Sequence, residues 1–211
     1  MATPVVFPVR YVSGDQALQT TSRELSPQGI AVRALQPPKV GSRVSMALYL
    51  PEMTVPEVAI GRVARANSRT PAEAGFWADF ILVDPAARRH IGDLLAARVR
   101  QSPPDHRTFS RHPVQLNVRL RTALEFVHEH AVNLSRGGVF VRSDDPPALD
   151  TPVEVELELP DGGEVARSKG IVVHRVLPGG AKEAGAGVQF VDGSDAFRVR
   201  VDRYLATLLK S

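Results

Sequence analysis

Two arginines stand four apart in Arg107-Thr108-Phe109-Ser110-Arg111, and 22 residues after Arg111 comes Asn133-Leu134-Ser135-Arg136-Gly137-Gly138. Arginine carries a permanent charge on a planar fork, so it can stack on a base, fork onto paired acceptors or pair with phosphate, whereas lysine offers only a point charge. Asn133 adds a side-chain carbonyl and amide, and Ser135 a hydroxyl for a ligand or for its own turn. Gly138 permits a backbone conformation or a close approach denied to residues with a Cβ. This is binding chemistry. There is no Ser/His/Asp order, no paired-carboxylate motif and no GxxxxGK phosphate loop, so no enzyme is expected. His128 and His130 lie two apart on a predicted strand and face the same way, but without a third ligand they read as surface histidines. His112 and His174 flank predicted strands, with His112 bordering the arginine segment.

The chain also contains itself twice. Glu24-Leu25-Ser26-Pro27-Gln28-Gly29-Ile30-Ala31-Val32-Arg33 returns as Asn133-Leu134-Ser135-Arg136-Gly137-Gly138-Val139-Phe140-Val141-Arg142, shifted by 109 positions. Leu50-Pro51 matches Leu159-Pro160, and Gly61-Arg62-Val63 matches Gly170-Ile171-Val172; one inserted residue then makes the shift 110 and pairs Phe80 with Phe190. A repeat of about 109 residues means two copies of one fold, each large enough for its own core. The expected division is 1–100, a linker at 101–106 stiffened by Pro103 and Pro104, and 107–211.

Period-two alternation is plainest at Val153-Glu154-Val155-Glu156-Leu157-Glu158-Leu159, a half-buried antiparallel strand with glutamates toward water. Further strands are predicted at 113–121, 124–134, 138–143, 164–177 and 184–192, separated by Gly, Pro and Asp clusters. Six short strands predict a small barrel. The spacing then changes to three and four, predicting a helix capped by Asp84 with Ile91, Leu94 and Leu95 on one face. A second helix is predicted to be capped by Ser194, with Phe197, Val201, Tyr204, Leu205 and Leu208 on its apolar face. These stripes are expected to close the barrels.

Composition sets limits. The chain has no cysteine, hence no disulfide framework and no thiolate metal site. Its 211 residues include no apolar run long enough for a bilayer and no signal-peptide pattern, so the expectation is a cytoplasmic protein without membrane insertion. Residues 1–100 hold 12 Lys and Arg against 8 Asp and Glu, while residues 101–211 hold 14 against 15. With neither basic tracts nor aromatic-basic interleaving, nucleic acid is not the expected partner.

An RxxxR segment ahead of a barrel, followed by NxSxxG at a strand end, resembles the paired motif of PilZ domains, and the whole chain resembles a tandem PilZ protein. The resemblance implies a mainly β fold of two six-stranded antiparallel barrels, each with a C-terminal helix. It also implies binding of cyclic di-GMP, a bacterial second messenger, through Arg107, Arg111, Asn133, Ser135 and Gly138, with His112, Arg136 and Gly137 nearby; no other cofactor or metal is implied. Many family members carry aspartate at the Asn133 position, whose anionic oxygens suit guanine N1 and N2 donors better. The first copy has Glu24 there and Ala2 at the Arg111 position, and the counterpart of Arg107 would precede Met1, so it is expected not to bind nucleotide in this manner. The expected role is a receptor that changes its interdomain arrangement to signal to a protein partner, in motility or exopolysaccharide regulation. The alternative is a PilZ adaptor that binds no nucleotide and serves protein interactions in motility or pilus machinery.

Overall fold

The computed structural model describes residues 2–51, 53, 55–71, 73–100, 111–122, 126–180 and 182–208, with 99–100 and 126–130 described by backbone alone. The predicted linker 101–106 and Arg107 lie outside the described residues. The chain divides into two units, Met1–Phe109 and Ser110–Ser211.

In the first unit β1 (Thr3–Pro4) precedes β2 (Pro8–Ser13), β3 (Gln16–Ser26), β4 (Gly29–Arg33), β5 (Arg43–Leu48), β6 (Glu57–Asn67), β7 (Gly75–Val83) and helix α1 (Pro85–Arg100). The sheet closes in the order β2-β3-β4-β7-β6-β5, with β1 added on β3. The second unit comprises β8 (His112–Arg121), β9 (Phe126–Ser135), β10 (Gly138–Arg142), β11 (Pro152–Leu157), β12 (Ala166–Val176), β13 (Gly185–Val191) and α2 (Asp195–Leu208). Its closed order is β8-β9-β10-β13-β12-β11, the same circuit strand for strand. Closure pairs both sides of each of the six circuit strands in either barrel. Strands β4, β5 and β6 match β10, β11 and β12 at a shift of 109, residue for residue.

Alternation fills each barrel from within. Val153, Val155 and Leu157 on β11 join Val118, Leu120, Leu134, Val139, Val141, Val172, Val188 and Phe190 in one core. Tyr11, Phe7, Leu25, Ile30, Met46 and Leu48 form the other. The helices are capped as expected: Ala86 N–H donates to Asp84 Oδ1 at 2.8 Å, and Phe197 N–H to Ser194 Oγ at 3.2 Å. Phe197, Val201 and Leu205 of α2 pack into the barrel core, with Phe197 edge-on to Phe190 at 4.9 Å; Ile91 of α1 does the same in the first barrel.

The glutamates of β11 do face outward, but arginines meet them. Arg119 reaches Glu158 at 3.0 Å and Glu156 at 3.6 Å, Arg121 reaches Glu154 at 3.4 Å, and Arg167 reaches Glu156 at 2.8 Å. Exposed pairs contribute roughly 0–1 kcal/mol each, so this lattice affects surface charge more than stability. The first barrel has no such lattice at these positions: where β11 and β12 carry Glu156, Arg167 and Lys169, it carries Ala47, Val58 and Ile60. Val58 and the nearby Leu82 are 60% and 62% exposed.

Candidate functional site on the second barrel

Register places the motif residues. Leu134 and Val139 pair across β9 and β10 with both side chains in the core, so the residues flanking them face outward. Ser135 lies opposite Gly138, which lies opposite Gln189 of β13. One row along, Asn133 lies between Pro113 of β8 and Phe140 of β10. Arg111, exposed one residue before β8, returns to the Pro113 side by the same alternation. Arg111, Asn133, Ser135 and Gly138 therefore share one outer face. His112 instead pairs with Leu134 and takes that residue's side of the sheet, not Asn133's.

A bulge aims Asn133. Phe140 pairs with Asn133 while Val141 pairs with Ala131, leaving Val132 as an extra residue on β9. On β8, Val114 and Gln115 stand against the single Val132 at the same level, one residue in excess. Bulges of this kind re-aim side chains and part the strands locally. Here they border a groove of about 720 Å³ lined by Pro113, Gln115, Asn117, Val132, Arg142 and Glu183, beside Asn133. The first barrel has its bulge at Arg23, the counterpart of Val132, so the device belongs to the shared fold.

Ser135 and Gly138 also serve that fold. Ser135 Oγ donates to the Gly138 carbonyl at 3.2 Å, and Ser26 Oγ to the Gly29 carbonyl at 3.4 Å. Gly138 is not among the positive-φ glycines, so its conformation is open to any residue. Its need is steric: a Cβ there would collide with the Val188 carbonyl oxygen, as one at Gly29 would with that of Ala78. Gly137 accepts the Phe190 N–H at 3.0 Å, closing the turn onto β13. Arg136 turns to the C-terminal helix, with its Nε 2.9 Å from Asp202 Oδ1.

The two barrels differ in what covers this face. In the first, Trp77 of β7 lies against Gly29, where a Cβ would come 2.9 Å from its ring; its N–H donates to Asp79 at 2.7 Å, and Arg65 stacks on it at 5.4 Å. In the second, the Trp77 position is Gly187 and the Ala31 position is Phe140, so the aromatic has moved one strand over. Phe140 packs toward His174 and Gly185, and no ring atom comes as near to a Cβ at Gly138 as Trp77 does at Gly29. The charges change with it: Glu24 and Asp79 in the first barrel become Asn133 and Gln189 in the second. Two carboxylates have become two amides on the face that Arg111 borders, and amides, unlike carboxylates, do not repel an anion. Gln189 and Phe140 were missed in the sequence, although the repeat aligned them with Asp79 and Ala31.

Elsewhere in this unit, the Arg200 guanidinium and the Gly163 N–H hold the Asp161 carboxyl below the usual carboxylate range, tying the β11–β12 loop to α2. That tie is complete above the ordinary aspartate range and is lost as pH falls through the lowered value. Burial pushes the Tyr204 phenol up. The side chains of His128 and His130 are outside the description. No helix among the described residues is long and apolar enough to cross a membrane.

The family model for the PilZ domain matches residues 3–97 and again 105–207. No curated protein sequence matches. Among solved structures, the chain is similar to the Bacillus subtilis inhibitor of motility MotI/DgrA, at 11% identity, 100% coverage of both chains and a TM-score of 0.44. It is similar to Borreliella burgdorferi PlzA in complex with c-di-GMP, at 10% identity, covering 93% of this chain and 86% of that one, with a TM-score of 0.40. Escherichia coli YcgR in complex with c-di-GMP matches at 10% identity over 98% of this chain and 84% of that one, with a TM-score of 0.39.

Proposed function

The chain belongs to the PilZ domain family, matched by that family's model once in each half, and on that footing we propose that it is a cyclic di-GMP receptor whose second domain holds the nucleotide. The observation that carries this reading is the outer face of the second barrel. There Arg111, Asn133, Ser135 and Gly138 come together where the first barrel sets Glu24, Asp79 and Trp77. Arg107 and Arg111 supply charge for phosphate and a plane for guanine, and Asn133 supplies an amide edge for the base. Equilibrium dialysis against cyclic di-GMP, with GTP as competitor, tests the binding step. Retention of cyclic di-GMP against excess GTP supports it, and no retention refutes it.

The signalling step follows from where the arginines lie. Helix α1 ends at Arg100 and β8 begins at His112, so Arg107 and Arg111 fall in the stretch that joins the two barrels. A ligand held by this stretch couples nucleotide affinity to interdomain arrangement in one equilibrium. Small-angle scattering with and without saturating nucleotide should give different profiles; identical profiles would remove this step while leaving binding intact.

The adaptor reading draws on one observation, the apolar outer strip of the first barrel. Val58→Arg with Ile60→Lys installs residues the second barrel carries as Arg167 and Lys169, so the fold should accept them. Nucleotide affinity should then stay within about twofold of wild type, because surface changes away from a site act weakly on it. A larger loss would place the nucleotide on the first barrel instead.

A further inference from the structure

Resting on that reading of the second barrel, we propose that Asp202 is a positioning residue for the nucleotide site, holding the Asn133–Gly138 turn to helix α2 through Arg136. The contact is an ion pair: Arg136 Nε lies 2.9 Å from Asp202 Oδ1, while Arg198, one helical turn earlier, donates from its Nη1 to Asp202 Oδ2 at 3.1 Å. Asp202 thus bridges two arginines, one from its own helix and one from inside the motif.

The duplication separates this contact from the needs of the fold. In the first barrel the same turn, with the same serine bond and the same glycine, is built with Pro27 at the Arg136 position and Gly92 at the Asp202 position. Arg88 is kept where the second copy has Arg198. Both partners of the cross-link are missing together, yet the turn and helix form. The pair therefore does not make the turn; it occurs in the copy that also carries Arg111, Asn133 and Gln189.

The physical consequence is coupling. Arg136 stands between Ser135 and Gly137 at the tip of the hairpin, so fixing its guanidinium fixes the tip that presents the motif. A ligand that orders the tip should tighten the docking of α2, and docked α2 should raise ligand affinity by the same factor. Helix α2 thereby reads site occupancy.

Amide hydrogen exchange across residues 195–208 of the full chain, with and without saturating cyclic di-GMP, tests this alongside calorimetric affinities. In the wild type, nucleotide should slow exchange in α2 several-fold; in Arg136→Ala and Asp202→Ala it should leave α2 exchange unchanged. Asp202→Ala should weaken binding about fivefold, Asp202→Glu should recover most of it, and adding Asp202→Ala to Arg136→Ala should cost nothing further. If Arg111→Ala loses affinity but Asp202→Ala binds like wild type and α2 exchange ignores the nucleotide, the positioning role is overturned and the site stands. If the wild-type chain binds no cyclic di-GMP, the site itself is wrong and this role falls with it.

Discussion

Replacing Arg111 with alanine should lower the affinity for cyclic di-GMP by about ten- to a hundredfold, the equivalent of a lost charge-assisted contact of roughly 1 to 3 kcal/mol. Arg111 borders the outer face that holds Asn133, Ser135 and Gly138, the face proposed to hold the nucleotide, and a neutral side chain offers neither a charge for phosphate nor a guanidinium plane for guanine. Arg107→Ala should act similarly, and Glu24→Ala, at the matching place in the first barrel, should change nothing. Melting temperatures of all three variants should match the wild type, since Arg111 is exposed and contributes nothing to either core. Loss of affinity with unchanged melting separates a ligand contact from a structural one.

Gly138→Ala should do the opposite, destabilising the second barrel by roughly 1 to 3 kcal/mol, the usual cost of forcing a methyl group into a packed site. For a domain of this size that lowers its melting midpoint by roughly 5 °C or more. The obstacle is the carbonyl oxygen of Val188 on the neighbouring strand, which cannot rotate away as a side chain would. Gly29→Ala should destabilise the first barrel comparably, because the Ala78 carbonyl stands in the same place. Differential scanning calorimetry checks both. If Gly138→Ala weakens nucleotide binding and leaves melting untouched, the glycine serves ligand approach alone.

These two expectations explain why the motif was only partly legible. Ser135 and Gly138 recur as Ser26 and Gly29 because both barrels need the same turn, so their recurrence marks the fold, while Arg111 and Asn133 mark what one copy has and the other lacks. Strands and helices were readable because each signal was local: the Val153–Leu159 alternation, the Asp84 and Ser194 caps, the Phe197, Val201 and Leu205 stripe. Long-range partners were not readable. Nothing near Glu156 announces that Arg119 and Arg167 will meet it, and the bulge at Val132 is one residue that alternation alone does not locate. The exchange of Ala31 and Trp77 for Phe140 and Gly187 becomes visible as compensation only once β4 is known to pair with β7. The pair of Asp202 with Arg136 is equally long-range, its partners 66 residues apart in the chain.

The charge arithmetic also has a structural source. The second copy spends Arg119, Arg121 and Arg167 on Glu154, Glu156 and Glu158, so its arginines are largely neutralised where they might have made a basic surface. In the proposed site, anion recognition would rest on a few placed arginines and on Asn133 and Gln189 standing where the first barrel has Glu24 and Asp79, rather than on a field of positive charge.

The most direct measurement is a calorimetric titration of the full chain with cyclic di-GMP, repeated on the Arg107→Ala/Arg111→Ala double variant and with GTP in place of the ligand. The account predicts saturable heat in the wild type, at least a hundredfold weaker binding in the double variant, and no heat from GTP. Binding by the double variant at wild-type affinity would contradict it.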